Sequence, residues 1–185
     1  MSAPRCDSNI DVVAAARNGD QDGWAELYRG VYRRLRAYVA RRVPAEQVED
    51  LIAETFTCAV RGIDRYAGGS ERFDEWVFAI ARRLVPSGAP LEQDVIELRA
   101  IGGFTVEPVA RILGRRPGVV RAAEAQAYER LHQEEEVRAP GGRPLDSRRE
   151  VELLDTLMAA LQPPVAEPSA ASLFRLRTDV AQQFR

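Results

Sequence analysis

From Glu49 to Tyr66 the apolar residues recur at the spacing of one helix face, and no stretch of the chain alternates apolar and polar long enough to make a half-buried strand. Leu51, Ile52, Thr55, Phe56, Ala59, Val60 and Ile63 form the stripe, while Glu49, Asp50 and Glu54 crowd the first turns. A helix built this way offers an acidic edge beside an apolar face. That pattern suits docking to a basic partner better than catalysis, because the carboxylates have no histidine or burial signal to tune them for proton transfer.

The same periodicity continues from end to end and predicts an all-α fold. Helices are expected over about 11–18, 23–43 and 73–85, with Trp24, Leu27, Tyr28, Val31, Leu35, Tyr38 and Val39 sharing a face of the second. Phe73, Trp76, Val77, Ile80, Ala81 and Leu84 share a face of the fourth, which makes Trp76 a core residue on spacing alone. Between Arg29 and Arg42 lie six arginines and no acid. Pro86-Ser-Gly-Ala-Pro90 is the sharpest break in the first half. Beyond it, short helices flank Gly102-Gly103. Thr105 is placed to cap a helix carrying Val106, Val109, Ala110, Ile112 and Leu113, Gly114 supplies a left-handed stop, and Pro117 opens the next helix, 118 to about 131. Helix, glycine turn and helix is a helix-turn-helix signature, whose second helix offers its first residues to a DNA groove.

Composition narrows the function. The 185 residues are 45% hydrophobic, enough for a core, and a net charge of -2 excludes coating nucleic acid by bulk positive charge, so any DNA contact rests on local patches. All 26 basic residues are arginine. Cys6 and Cys58 are too few and too distant for a disulfide framework or metal knuckle, Cys58 is expected inside the helix stripe, and the lone His132 has no ligand or nucleophile partner. No catalytic residue, metal site or cofactor is expected, nor insertion into a membrane, since no apolar run approaches the length of a span. A cytoplasmic protein is the expectation.

Taken in order, these motifs resemble the extracytoplasmic-function group of the sigma-70 family, the small two-domain sigma factors of bacterial RNA polymerase. Trp24-Ala-Glu-Leu-Tyr, Leu35-Arg-Ala-Tyr, Glu49-Asp-Leu-Ile-Ala-Glu-Thr-Phe, Ile63-Asp-Arg-Tyr and Phe73-Asp-Glu-Trp-Val-Phe-Ala-Ile-Ala-Arg-Arg-Leu-Val are similar to region 2, and Leu91 to Arg121 to region 4. The resemblance implies a region 2-like domain over 1–86, a region 4-like helix-turn-helix over 87–133, and a linker with amphipathic C-terminal helices over 134–185. It implies that Asp50, Leu51, Glu54 and Phe56 bind the β′ coiled coil of core RNA polymerase. It further implies that Arg72, Arg82 and Arg83, with the loop 67–72, face the -10 element of promoter DNA, and that Arg115, Arg116, Val119, Arg121 and Ala122 face the -35 element. An anti-sigma factor is a further partner the family admits.

Two features depart from that pattern. Six residue steps from Val85 to Leu91 span at most about 20 Å, against the order of 50 Å between promoter elements at about 3.4 Å per base pair. Glu124 and Glu129 also sit where the family helix is basic. An alternative is therefore a sigma-like protein without promoter bridging, acting as a decoy or regulator on an anti-sigma factor or polymerase. The tail adds a capping box at Ser147 and Glu150 before Val151, Leu154, Leu157, Met158 and Leu161, then a helix over about 172–184 with Leu173, Phe174, Val180, Ala181 and Phe184 on its apolar face. Neither tail helix can hide that face alone, so each needs the body or a partner to cover it.

Overall fold

The computed structural model describes residues 12–86, 88–138 and 167–184. Regular structure among them is entirely helical: α1 Val12–Arg17, α2 Gln21–Ala40, α3 Val48–Gly62, α4 Phe73–Leu84, α5 Leu91–Ala100, α6 Val106–Leu113, α7 Pro117–Arg138 and α8 Ala170–Gln183, with single 3-10 turns at Ala45–Gln47, Ile63–Arg65 and Ser70–Arg72. The fold is all-α, as the periodicity requires. The linker at 139–144, the amphipathic segment at 147–161, Cys6 and the His132 side chain lie outside the described residues.

Local chemistry sets most boundaries. Asp20 caps α2 by accepting from the Asp22 amide at 3.1 Å. The Trp24 indole donates to the Ala16 carbonyl at 2.9 Å, which ties α1 to α2 while burying the ring completely. Gly114 ends α6 at φ +62°, its amide meeting the carbonyls of Ala110 and Arg111, the left-handed stop that glycine adopts without steric cost. Thr105 occupies the N-cap of α6 but makes no side-chain cap, and Pro44 opens a 3-10 turn, so that α3 begins only at Val48. Helix α7 runs to Arg138, well past the expected end near Leu131.

Aromatic side chains knit the bundle. Phe56 of α3 meets Tyr28 of α2 at 4.5 Å between ring centres, Trp24 meets Phe73 of α4 at 6.1 Å, and Tyr38 meets Phe78 at 5.4 Å. Phe78 then continues to Phe104, between α5 and α6, at 4.9 Å edge-to-face. The helices on either side of Val85–Pro90 thus share one apolar core, which includes Val95, Leu98, Val109 and Val120. In α8, Leu176 and Val180 are buried in the same core, whereas Phe174 points outward and is 72% exposed, contrary to its expected place on the apolar face.

A buried charge cluster fastens α5 to α2 and α4. Asp94 and Glu97 are 7% and 2% exposed, unusual for acids. Arg42 donates to Asp94 at 2.7 Å, is ion-paired with Glu97, and stacks over the Tyr38 ring at 3.8 Å. Arg82 reaches Asp94 and Arg41 reaches Glu97, both at 3.1 Å. Around this cluster Arg34 bridges Asp74 and the Gly102 carbonyl.

Candidate nucleic-acid and partner interface

Helix α3 turns its stripe inward and its acids outward. Ile52, Phe56, Ala59 and Val60 are buried, and Thr55 bonds back to the Leu51 carbonyl at 2.7 Å. Of the residues expected to grip a partner, Asp50 and Glu54 are exposed and Leu51 is half-buried. Phe56 is 2% exposed against Tyr28, so it anchors the helix from within rather than presenting a surface hydrophobe. Cys58, expected inside, is an exposed free thiol instead. Glu49 is held by the Tyr32 hydroxyl at 3.0 Å and by Arg36 at 3.0 Å, which removes it from the free acidic edge.

Beyond α3 the chain forms a groove of about 340 Å³ between residues 65–68 and α4. Tyr66 lies stacked on Trp76, 4.6 Å between ring centres and 21° between planes, and its hydroxyl donates to the Gly69 carbonyl at 2.7 Å. Burial pushes the Tyr66 phenol up to about 12, so it remains a donor at neutral pH. Arg65, Arg72 and Arg111 border the groove, and Arg111 of α6 clamps Glu75 through two bonds of 2.8 and 2.9 Å. Trp76 is therefore a half-buried wall of this groove as well as a core residue. Sequence spacing points to neither Tyr66 nor Arg111, because the stack and the clamp depend on elements far apart in the chain.

The arginines assigned to DNA divide into three kinds. Arg82 is engaged with Asp94, and Arg72 is 52% exposed with Glu75 3.8 Å away. Arg83 is exposed, with no partner among the described residues. Arg115, Arg116, Val119, Arg121 and Ala122 are brought together and exposed at the start of α7, where Arg121 pairs loosely with Glu107 at 3.1 Å. Glu124, an acid where the resemblance expects a basic residue, accepts from Arg99 of α5 at 2.8 Å and so serves packing between the two helices. No group of three or more potential metal ligands occurs among the described residues, and no described helix is long and apolar enough to cross a membrane.

The described bundle thus combines an outward acidic edge, an aromatic groove and a glycine-turned helix pair with exposed arginines at the start of its second helix. The sigma-70 region 2 family matches residues 24–87. The chain is also similar to the ECF RNA polymerase sigma factor BldN of Streptomyces coelicolor (strain ATCC BAA-471 / A3(2) / M145), 24% identical over an alignment of 178 positions, gaps included, that covers 69% of this chain and 67% of the relative. No solved structure matches it significantly. Residues 24–87 thus match sigma-70 region 2, and the two similarities together support a sigma-type transcription initiation factor of the extracytoplasmic-function group, a class that works by binding rather than catalysis. The decoy alternative is not favoured by these similarities.

Proposed function

We propose that this sigma factor grips the β′ coiled coil of core RNA polymerase through the acidic edge of α3 and delivers the enzyme to promoter DNA. The observation that carries the reading is the exposure of Asp50 and Glu54 on a helix whose Ile52 and Phe56 are locked into the core. A rigid helix fixed from beneath presents its carboxylates without the entropy cost of ordering a loop, and a pair of acids steers and orients an arginine-rich hairpin. Asp50→Arg combined with Glu54→Arg abolishes co-purification with core polymerase; retained binding at low ionic strength refutes the assignment.

On the DNA side, the groove at Tyr66 and Trp76 suits an unstacked base of the opened non-template strand. An aromatic wall accepts any base face, while Arg65 and Arg72 stand at its rim for phosphate. The turn into α7 and its first residues, with Arg115, Arg116 and Arg121, form the duplex-reading element. Replacing Arg115 and Arg116 by alanine weakens duplex binding and lowers the slope of log affinity against log salt by about one for each phosphate no longer neutralised. An unchanged slope excludes both arginines as phosphate ligands. Cytoplasmic location belongs to the same reading, since a polymerase partner is met there.

A further inference from the structure

Helix α8 lies outside the segment matched to region 2, yet it is built into the face of α2 and α3 that the docking reading needs. Its apolar stripe, Leu176 and Val180, is buried to 3% and 0% exposure. Each flank of that stripe reaches an acid of the body: Arg175 meets Asp50 at 3.4 Å on α3, and Arg177 meets Asp22 at 3.0 Å on α2. Thr57 donates to Asp179 at 2.6 Å. At the far end Phe184 rests on Gly19, where an added Cβ would meet the ring at 2.8 Å. The groove between α2 and α3 is thus shaped and charged for one kind of occupant, an amphipathic helix with arginines beside its apolar stripe.

We infer that α8 is an internal occupant of this groove which competes with polymerase for the α3 edge. The inference rests on the docking role proposed for Asp50. A helix about 10 Å across seated along one flank of α3 obstructs a hairpin approaching from that side, and the Asp50 carboxylate already has an arginine beside it. The hold is suited to exchange. Only two large apolar side chains of α8 are fully buried, and both its arginine pairs are solvent-exposed, where ion pairs contribute little and are screened by salt. Glu54 stays uncovered, so a partner can make first contact before α8 leaves. An incoming helix that brings its own arginines offers Asp22 and Asp50 the same chemistry that α8 supplies.

The test compares core polymerase binding by the full-length chain with two variants. Leu176→Asp with Val180→Asp expels the stripe; Arg175→Glu with Asp179→Ala loosens the flank without exposing apolar surface, and serves if the first variant fails to fold by circular dichroism. Release of α8 tightens binding by about tenfold or more in the first variant and by a smaller factor in the second. Equal binding by wild type and both variants overturns the competition and leaves the docking role standing, and weaker binding by folded variants makes α8 part of the docking surface, which also overturns it. If none of the three binds, the docking role itself is wrong and the inference falls with it.

Discussion

Replacing Arg42 by methionine removes the cation that lies between two buried carboxylates. The Arg42 side chain is 6% exposed, Glu97 3% and Asp94 10%, so the charges left behind have little access to water. Breaking a buried pair by deleting one partner costs about 3–5 kcal/mol, mostly from the carboxylate left uncompensated. Here the lower end applies, since Arg82 and Arg41 each remain at 3.1 Å from one acid. Methionine keeps its apolar packing on the Tyr38 ring, so the change is mainly one of charge. For a chain of this length about 3 kcal/mol corresponds to a fall in Tm of roughly 6–12 °C, measured by calorimetry or by urea unfolding at constant m-value. The triple variant Arg42→Met, Asp94→Asn, Glu97→Gln removes charge on both sides. Arg82 and Arg41, 37% and 44% exposed, can turn to water, so most of the stability returns. Because α5 is fastened to α2 and α4 through this cluster and a shared core, one cooperative transition shifts in each case. A loss below about 1 kcal/mol, or a triple variant as unstable as the single, refutes the account of the cluster as charge compensation.

Two further tests address α8 and the tyrosines. Gly19→Ala places a side chain at φ +78° and against Phe184, so it costs about 1–2 kcal/mol from backbone strain alone and raises hydrogen exchange at residues 180–184; unchanged protection there means that Phe184 is not what holds the end of α8. Burial lifts the phenols of Tyr32, Tyr38 and Tyr66 to about 12 in the folded chain. Since the unfolded chain releases these protons near pH 10, stability is fully present below that pH and declines as pH rises toward 12; tyrosinate absorbance worth more than one of the five tyrosines at the ordinary pH, with the fold intact, contradicts the burial argument.

The six arginines from Arg29 to Arg42, along α2 and just past its end, mark the limit of reading charge from sequence. Unopposed within that stretch, they read as a basic stripe. In the fold Arg34 meets Asp74, Arg36 meets Glu49, Arg41 meets Glu97 and Arg42 meets Asp94, partners that lie 40, 13, 56 and 52 residues away. Arg29 and Arg33 stay exposed, beside a groove that Pro168 and Leu173 help to line. A similar limit governs α3, where spacing identifies a wide stripe but not its centre. Packing by α4 on one side and α8 on another rotates Phe56 inward and leaves Cys58 outside. The acids of α5 sit where an amphipathic reading expects surface, and the guanidinium groups of Arg41, Arg42 and Arg82 make their burial tolerable.

Helix identity, the glycine stop at 114, the acidic edge of α3 and the arginine-bearing start of α7 were all set locally, by 3.6-residue periodicity, φ preference and capping chemistry that act within a few residues. What α8 covers, which arginines stay exposed, and how closely α5 to α7 sit against α4 were decided by tertiary structure. Those outcomes depend on which distant carboxylate finds which guanidinium and on which face a helix must bury once its neighbours have claimed theirs, and neither is encoded in the spacing of a single segment.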